Sequence, residues 1–198
     1  MPSALSGGLA PADPPSPLGA QFWRHIHDRA RTVQGRLNDI GMLCASAAER
    51  HDAGPSKGQY TEEARAMLES LGRYVRLFHM LMFASLTSRF AVLRTPRGMG
   101  ELVRRGAMTQ PEYEALLQTS MGHHAVIEWI STLLNSALGD GRLCGSASGG
   151  SSGALQITLQ AKLTELRAQY GGIEDQLTGR MPLAYTQLVQ IMVRRPCS

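Results

Sequence analysis

The side chains best suited to chemistry are two adjacent histidines, His123 and His124, with Glu128 four residues after the second. Residues four apart share a helix face, so His124 and Glu128 could offer a ring nitrogen and a carboxylate oxygen to one cation. A metal site needs more ligands than that, and no further pair stands at a recognisable spacing. Packing therefore explains the pair better than ligation. His25 and His27 are two apart and point to different sides of their helix, as surface or packing residues. Cys44, Cys144 and Cys197 are scattered, without Cys-x-x-Cys spacing, and read as free thiols. Asp28, Asp39, Glu62, Glu63, Glu112 and Glu114 fall on expected exposed faces or first turns, where solvation and capping account for them. No G-x-S-x-G, P-loop or G-x-G-x-x-G string occurs, so an enzyme is not expected, and neither is a bound cofactor or metal.

The elements that would position these groups are helical throughout. Trp23, Ile26, Ala30, Val33, Leu37 and Ile40 recur at three- and four-residue steps, giving an amphipathic helix over 21–50. A loop with Gly54, Pro55 and Gly58 follows. Thr61 is an N-cap with Glu62 and Glu63 in the first turn, and the apolar series Leu68, Leu71, Val75, Phe78, Met82, Leu86 carries a long helix to about Leu93, where 95–98 (TPRG) stops it. Thr109 and Glu112 have capping-box spacing at the start of another helix. Val126, Ile127, Trp129, Ile130, Leu133 and Leu134 make the next one largely buried. Residues 139–153 have the Gly/Ser composition of a flexible coil. Leu155, Leu159, Leu163, Leu166 and Tyr170 define a further helix, expected to end at Gly171 and Gly172, and Pro182 suits the first turn of a last one. With no alternating β pattern, the fold class is all-α. The expected organisation is a tail over 1–20, a helical region over 21–143, a flexible linker over 144–154, and a helix, turn and membrane-entering helix over 155–198.

The chain has 198 residues, 43% hydrophobic and 18% charged, a globular or membrane-associated composition. Its net charge of +4 comes almost wholly from arginine and forms no clustered stripe, so nucleic acid is not an expected partner. The first twenty residues lack the basic start and apolar run of a secretory signal. A membrane helix needs about 20 mainly apolar residues. The run over 77–88 is too short, 115–139 is interrupted by His123, His124 and Glu128, and 181–193 begins like a span before Arg194, Arg195 and Pro196 cut it off. The methionines read as core filling. Trp23 beside Phe22 suits a membrane interface and a packed core equally well.

Several strings resemble the bestrophins, a family of pentameric anion channels. Phe22, Trp23 and Arg24 followed by Arg29, Val33 and Arg36 resemble the segment where that family's second membrane helix continues into the cytosol. Arg73, Tyr74, Leu77, Ser85 and Pro96 resemble its long cytosolic helix and the turn after it. Glu101, Leu102 and Val103 with Gly106, Met108, Thr109 and Glu112 resemble its Leu-Val-x-x-Gly-x-Met-Thr-x-x-Glu signature. Leu166, Arg167, Gln169 and Gly171, then ten residues later Pro182, Leu183, Tyr185, Thr186 and Gln187, resemble its Leu-Arg-x-Gln-x-Gly and Pro-Leu-x-Tyr-Thr-Gln strings without a gap.

The resemblance implies self-association as a fivefold ring around an axial pore, passive transport of chloride or other small anions, and membrane localisation with most of this chain on the cytosolic side. Pro182, Tyr185, Thr186 and Gln187 would begin the third membrane helix and supply hydrogen bonds near the membrane surface. Where the family has two membrane helices and its apolar neck, this chain has a Pro/Gly/Ser tail, and the fourth helix and acidic calcium clasp have no counterpart. The expectation is thus an incomplete channel chain. Calcium regulation is a family property for which no ligand is identifiable here. Gln176, Leu177 and Thr178 stand where the family often has an aromatic-acid-aromatic triplet. The rival expectation is a soluble, non-conducting helical interaction module, in which Gln187 and Gln190 form the wet side of the last helix.

Overall fold

The apolar stripe Val33, Leu37, Ile40, Cys44 lies along one side of the first helix, α1 (Pro17–Ala47), and is fully buried. The computed structural model describes residues 17–119, 122–143 and 152–178. α1 begins at Pro17, inside the stretch expected to be a tail. Proline is preorganised for the first helical position, and Ala20 and Gln21 continue the helix readily. Beyond Ala47 the chain turns back through 48–61. There Arg50 pairs with Tyr60 in an isolated bridge, and its guanidinium sits 4.1 Å above the Tyr60 ring.

α2 (Glu62–Leu86) starts as expected, with the Thr61 hydroxyl accepting the Ala64 amide. It ends sooner than its apolar period suggested. Thr87 is extended, its hydroxyl and amide both donate to the Phe83 carbonyl, and the chain continues as a 3-10 helix, Ser88–Arg94. Ser85, Thr87 and Ser88 are the cause in physical terms, because short hydroxyl side chains offer the backbone alternatives to the α-helix. The string 95–98 then does two jobs. It stops what precedes it, and it opens α3 (Pro96–Arg104), with Thr95 capping the Gly98 amide and Pro96 in the first turn. α4 (Gln110–Leu117) and α5 (Gly122–Gly139) follow, and α6 (Ser152–Thr178) is the last described helix.

The packing pairs distant stretches of chain. α6 lies along α1, and α5 lies along α2, with smaller contacts between α1 and α2 and between α5 and α6. One core holds Leu37 and Ile40 of α1, Leu71 and Phe78 of α2, Ile130 and Leu134 of α5, and Leu163 and Leu166 of α6. Met67, Met82 and Met108 are buried in it, as core filling requires. Cys44 is a free thiol in the same core, and burial pushes it up to about 12, which leaves it unreactive. The fold is all-α: among the described residues there are two isolated β-bridges and no strand, and no helix is long and apolar enough to cross a membrane.

α6 does not end at Gly171 and Gly172. It runs on to Thr178, because Tyr170 and Ile173 on either side of the glycines are both buried and hold the helix against the core. Residues 152–154, expected in the coil, are likewise helical. Gly171 has open space where a Cβ would stand. Alanine there removes the entropic penalty of glycine in a helix interior, so Gly171→Ala is expected to stabilise the chain by about 0.5–1 kcal/mol in urea unfolding. A loss of stability would show that position 171 meets something other than solvent.

Candidate functional site

Two candidate constellations bring distant residues together, beside an ion-pair cluster that joins α1 to α6. The first joins α2 to α4. Residues after α3 form a Schellman motif: Gly106 takes φ +69, its amide donates to the Val103 carbonyl, and the Ala107 amide donates to Leu102. This positive φ is the reason for glycine at 106. The turn delivers Met108 into the core and Thr109 to the start of α4, where a capping box closes with the Thr109 amide donating to Glu112 Oε2 at 2.8 Å.

Glu112 is not the exposed first-turn carboxylate expected from the sequence. Its side chain is 13% exposed and receives both arms of Arg73, at 2.5 and 2.9 Å, across 39 residues of chain. Burial works to raise the Glu112 carboxyl. The Arg73 guanidinium, the Thr109 amide and Tyr74 outweigh it and hold the group at about 2. The sign for stability follows. A carboxyl depressed by folding contributes fully above its unfolded value, near 4.5, and loses that contribution as pH falls from there through 2. Between pH 5 and pH 2 this group should account for about 2 kcal/mol of the stability lost, and the unfolding free energy of Glu112→Gln should vary less with pH across that window by the same amount. Parallel curves for the two proteins would mean that Glu112 titrates normally.

Asp39, also expected on a solvated face, joins α1 to α6. Lys162 Nζ stands 2.9 Å and Arg36 Nη1 2.7 Å from Asp39 Oδ2, and Arg36 Nε lies 2.7 Å from Glu165 Oε1. Lys162 and Arg36 lower the Asp39 carboxyl.

The second constellation lies where α5 meets α6. His123 is 2% exposed, the one buried polar side chain of the described core. Its Nε2 is 3.1 Å from Glu174 Oε1, and His124 Nε2 is 3.7 Å from Glu174 Oε2. The Tyr170 hydroxyl is 2.9 Å from His124 Nδ1, and its ring packs edge-on against both imidazoles and Phe78. Burial lowers the basicity of His123 and, with His124 and Arg94, outweighs the pull of Glu174, so the ring is neutral. A cavity of about 560 Å³ opens onto His123 and Glu174 and is also lined by Ser85, Arg94, Thr119 and Gly122.

His124 and Glu128 keep the shared face expected of them and line one hollow, but Glu128 is not among the groups that converge with both histidines. The carboxylate beside the histidines is Glu174, fifty residues along the chain from His124, whereas Glu128 is exposed on α5. No spacing rule could have found Glu174, because it reaches the site only through the pairing of α5 with α6. His25 accepts a hydrogen bond from Arg29 Nε, and His27 is exposed beside Asp28. Trp23 is 61% exposed on α1 and packs edge-on against Phe22 rather than in the core. Of the last motif, Leu166 is buried, Gln169 half-buried and Arg167 exposed on the rim of a hollow shared with His124 and Tyr170. Pro182, Tyr185, Thr186 and Gln187, with the expected start of a membrane helix, lie outside the described residues, as do Cys144, Cys197 and most of the Gly/Ser stretch.

A search of curated proteins returns no match. The family model described as "Bestrophin, RFP-TM, chloride channel" matches residues 47–196. That span takes in the signature built around Gly106, Thr109 and Glu112 and both strings of the last motif. With three quarters of its residues matched by that model, this chain belongs to the bestrophin family.

Proposed function

We propose that the chain is a subunit of an anion channel that conducts chloride or similar small anions passively and catalyses no reaction. The observation that carries this reading is the family match over 47–196, a family described by chloride conduction. In it the helices from α2 to α6 form the cytosolic body of the subunit. Pro182 begins a membrane helix, and Tyr185, Thr186 and Gln187 make interhelical hydrogen bonds near the membrane surface. Five copies surround the pore, where apolar constrictions and helix-end dipoles select anions without a fixed positive charge at each step.

Self-association is supported by apolar side chains left uncovered beside the turn from α2 into the 3-10 helix. Phe83, Phe90 and Val92 are 43, 45 and 59% exposed. A grouped apolar surface of this kind suits contact with a neighbouring subunit. No residue is assigned to calcium.

The test is reconstitution of the protein encoded by the complete transcript into chloride-loaded vesicles, with its mass measured in detergent. Chloride release above that of empty vesicles, from particles of five subunits, is the expected result. Vesicles that stay tight although protein is incorporated, or particles of one subunit, would replace the channel with a non-conducting helical interaction module.

A further inference from the structure

We propose that His123, His124 and Glu174 form a binding site for one divalent transition-metal ion of borderline hardness, with zinc as its representative, which staples α5 to α6. One ligand atom from each of the three residues lies within 4.8 Å of the others. Zinc holds imidazole nitrogen and carboxylate oxygen at about 2.0–2.2 Å, so tetrahedral ligand atoms stand roughly 3.3–3.6 Å apart. The two nitrogen-to-oxygen separations, 3.1 Å from His123 to Oε1 and 3.7 Å from His124 to Oε2, bracket that value, one at each oxygen of Glu174. With the three ligand atoms within 4.8 Å of one another, the widest separation has to close by about an ångström to receive the ion.

A second observation is independent of spacing. Nε2 of His123 and Nε2 of His124 are both buried from solvent and make no aligned hydrogen bond, although Glu174 stands close to each. A buried nitrogen that meets its carboxylate without an aligned hydrogen bond is poorly satisfied, and two converging on one carboxylate is the arrangement a cation between them would satisfy. Burial keeps His123 neutral, the form that ligates. His124 already has the outer contact of a metal-bound histidine. With Nδ1–H donated to the Tyr170 hydroxyl, the Nε2 lone pair faces Glu174.

Two imidazoles and one carboxylate favour zinc, cobalt or nickel over calcium and magnesium, which prefer all-oxygen shells. The ligand set leaves one position of a tetrahedron open. The cavity beside His123 and Glu174 can fill it with water or a small anion, and Arg94 on its wall favours the anion.

The test uses the full chain, stripped with chelator and titrated with zinc by calorimetry and with cobalt by visible absorption. Expected are one ion per chain at a micromolar or lower dissociation constant, cobalt d–d bands of four-coordinate intensity, and no response to calcium. His124→Asn and Glu174→Gln should each weaken zinc binding at least tenfold with the far-ultraviolet dichroism unchanged. His124 is partly exposed, so its variant decides the matter if Glu174→Gln does not fold. Absence of stoichiometric binding by the unaltered chain overturns the site. So does equal binding by His124→Asn, which would trace the metal to surface histidines such as His25 and His27.

Discussion

Arg73→Ala is expected to lower the unfolding free energy by about 3 kcal/mol, a large share of what holds a domain of this size together. The magnitude comes from what is left behind. Glu112 would keep its place, largely buried at the start of α4, with the Thr109 amide and Tyr74 as its remaining partners. An uncompensated buried carboxylate costs far more than the lost attraction of a surface pair, which is on the order of 1 kcal/mol. Two further variants separate the explanations. Arg73→Lys should recover less than half of the loss, because an ammonium cannot reproduce the two-armed contact with Oε1 and Oε2. Arg73→Ala combined with Glu112→Ala should be more stable than Arg73→Ala alone, since removing the second partner removes the stranded charge. Urea unfolding at pH 7 measures all three. A loss below about 1 kcal/mol for Arg73→Ala would mean that the pair behaves as an exposed one.

Gly98→Ala acts through backbone rather than charge and is expected to cost about 2–3 kcal/mol. A Cβ at 98 would stand 2.1 Å from the Val92 carbonyl oxygen and 2.8 Å from Leu93 Cα, atoms that cannot swing aside as a side chain could. The 3-10 helix and α3 meet at this glycine. Relief of the clash means parting them, and protease cleavage should rise within 88–98 as thermal stability falls. The comparison with Gly171 is direct, since the same substitution is expected to change sign between the two positions. A neutral Gly98→Ala would show that the two helices separate without cost.

The local signals in the sequence proved reliable where a single residue determines its own neighbourhood. Thr61 and Thr109 each stand as N-cap residues, and the buried faces of α1, α5 and α6 follow the periodic leucines, isoleucines and valines. Failures came where tertiary contact overrode a local preference. Gly171 and Gly172 carry every mark of a helix stop, yet Tyr170 and Ile173 anchor the helix on both sides of them. The opposite occurred at Thr87, where side-chain hydroxyls broke a helix whose apolar period ran on to Leu93.

The candidate sites were legible by half. His123 and His124 stand out as an adjacent pair, and Glu112 was placed correctly as a capping residue. Their decisive partners, Glu174 and Arg73, carry no spacing signal, because each arrives from a helix whose placement depends on the packed core. Asp39 and Glu112 were both expected in solvent. A carboxylate's position on a helical wheel does not reveal that a lysine or arginine from another helix will cover it.

The pairing of α1 with α6 also bears on how the protein is made. The buried stripe of α1 is covered largely by a helix that begins at Ser152, more than a hundred residues after Ala47. At translation rates of about 5–20 residues per second, the ribosome takes on the order of ten seconds to produce that cover. Throughout that interval Val33, Leu37, Ile40 and Cys44 form an exposed apolar ridge on the nascent chain. A chaperone that binds such ridges, or a membrane surface close to the exit tunnel, has its opportunity during this delay and loses it once α6 docks.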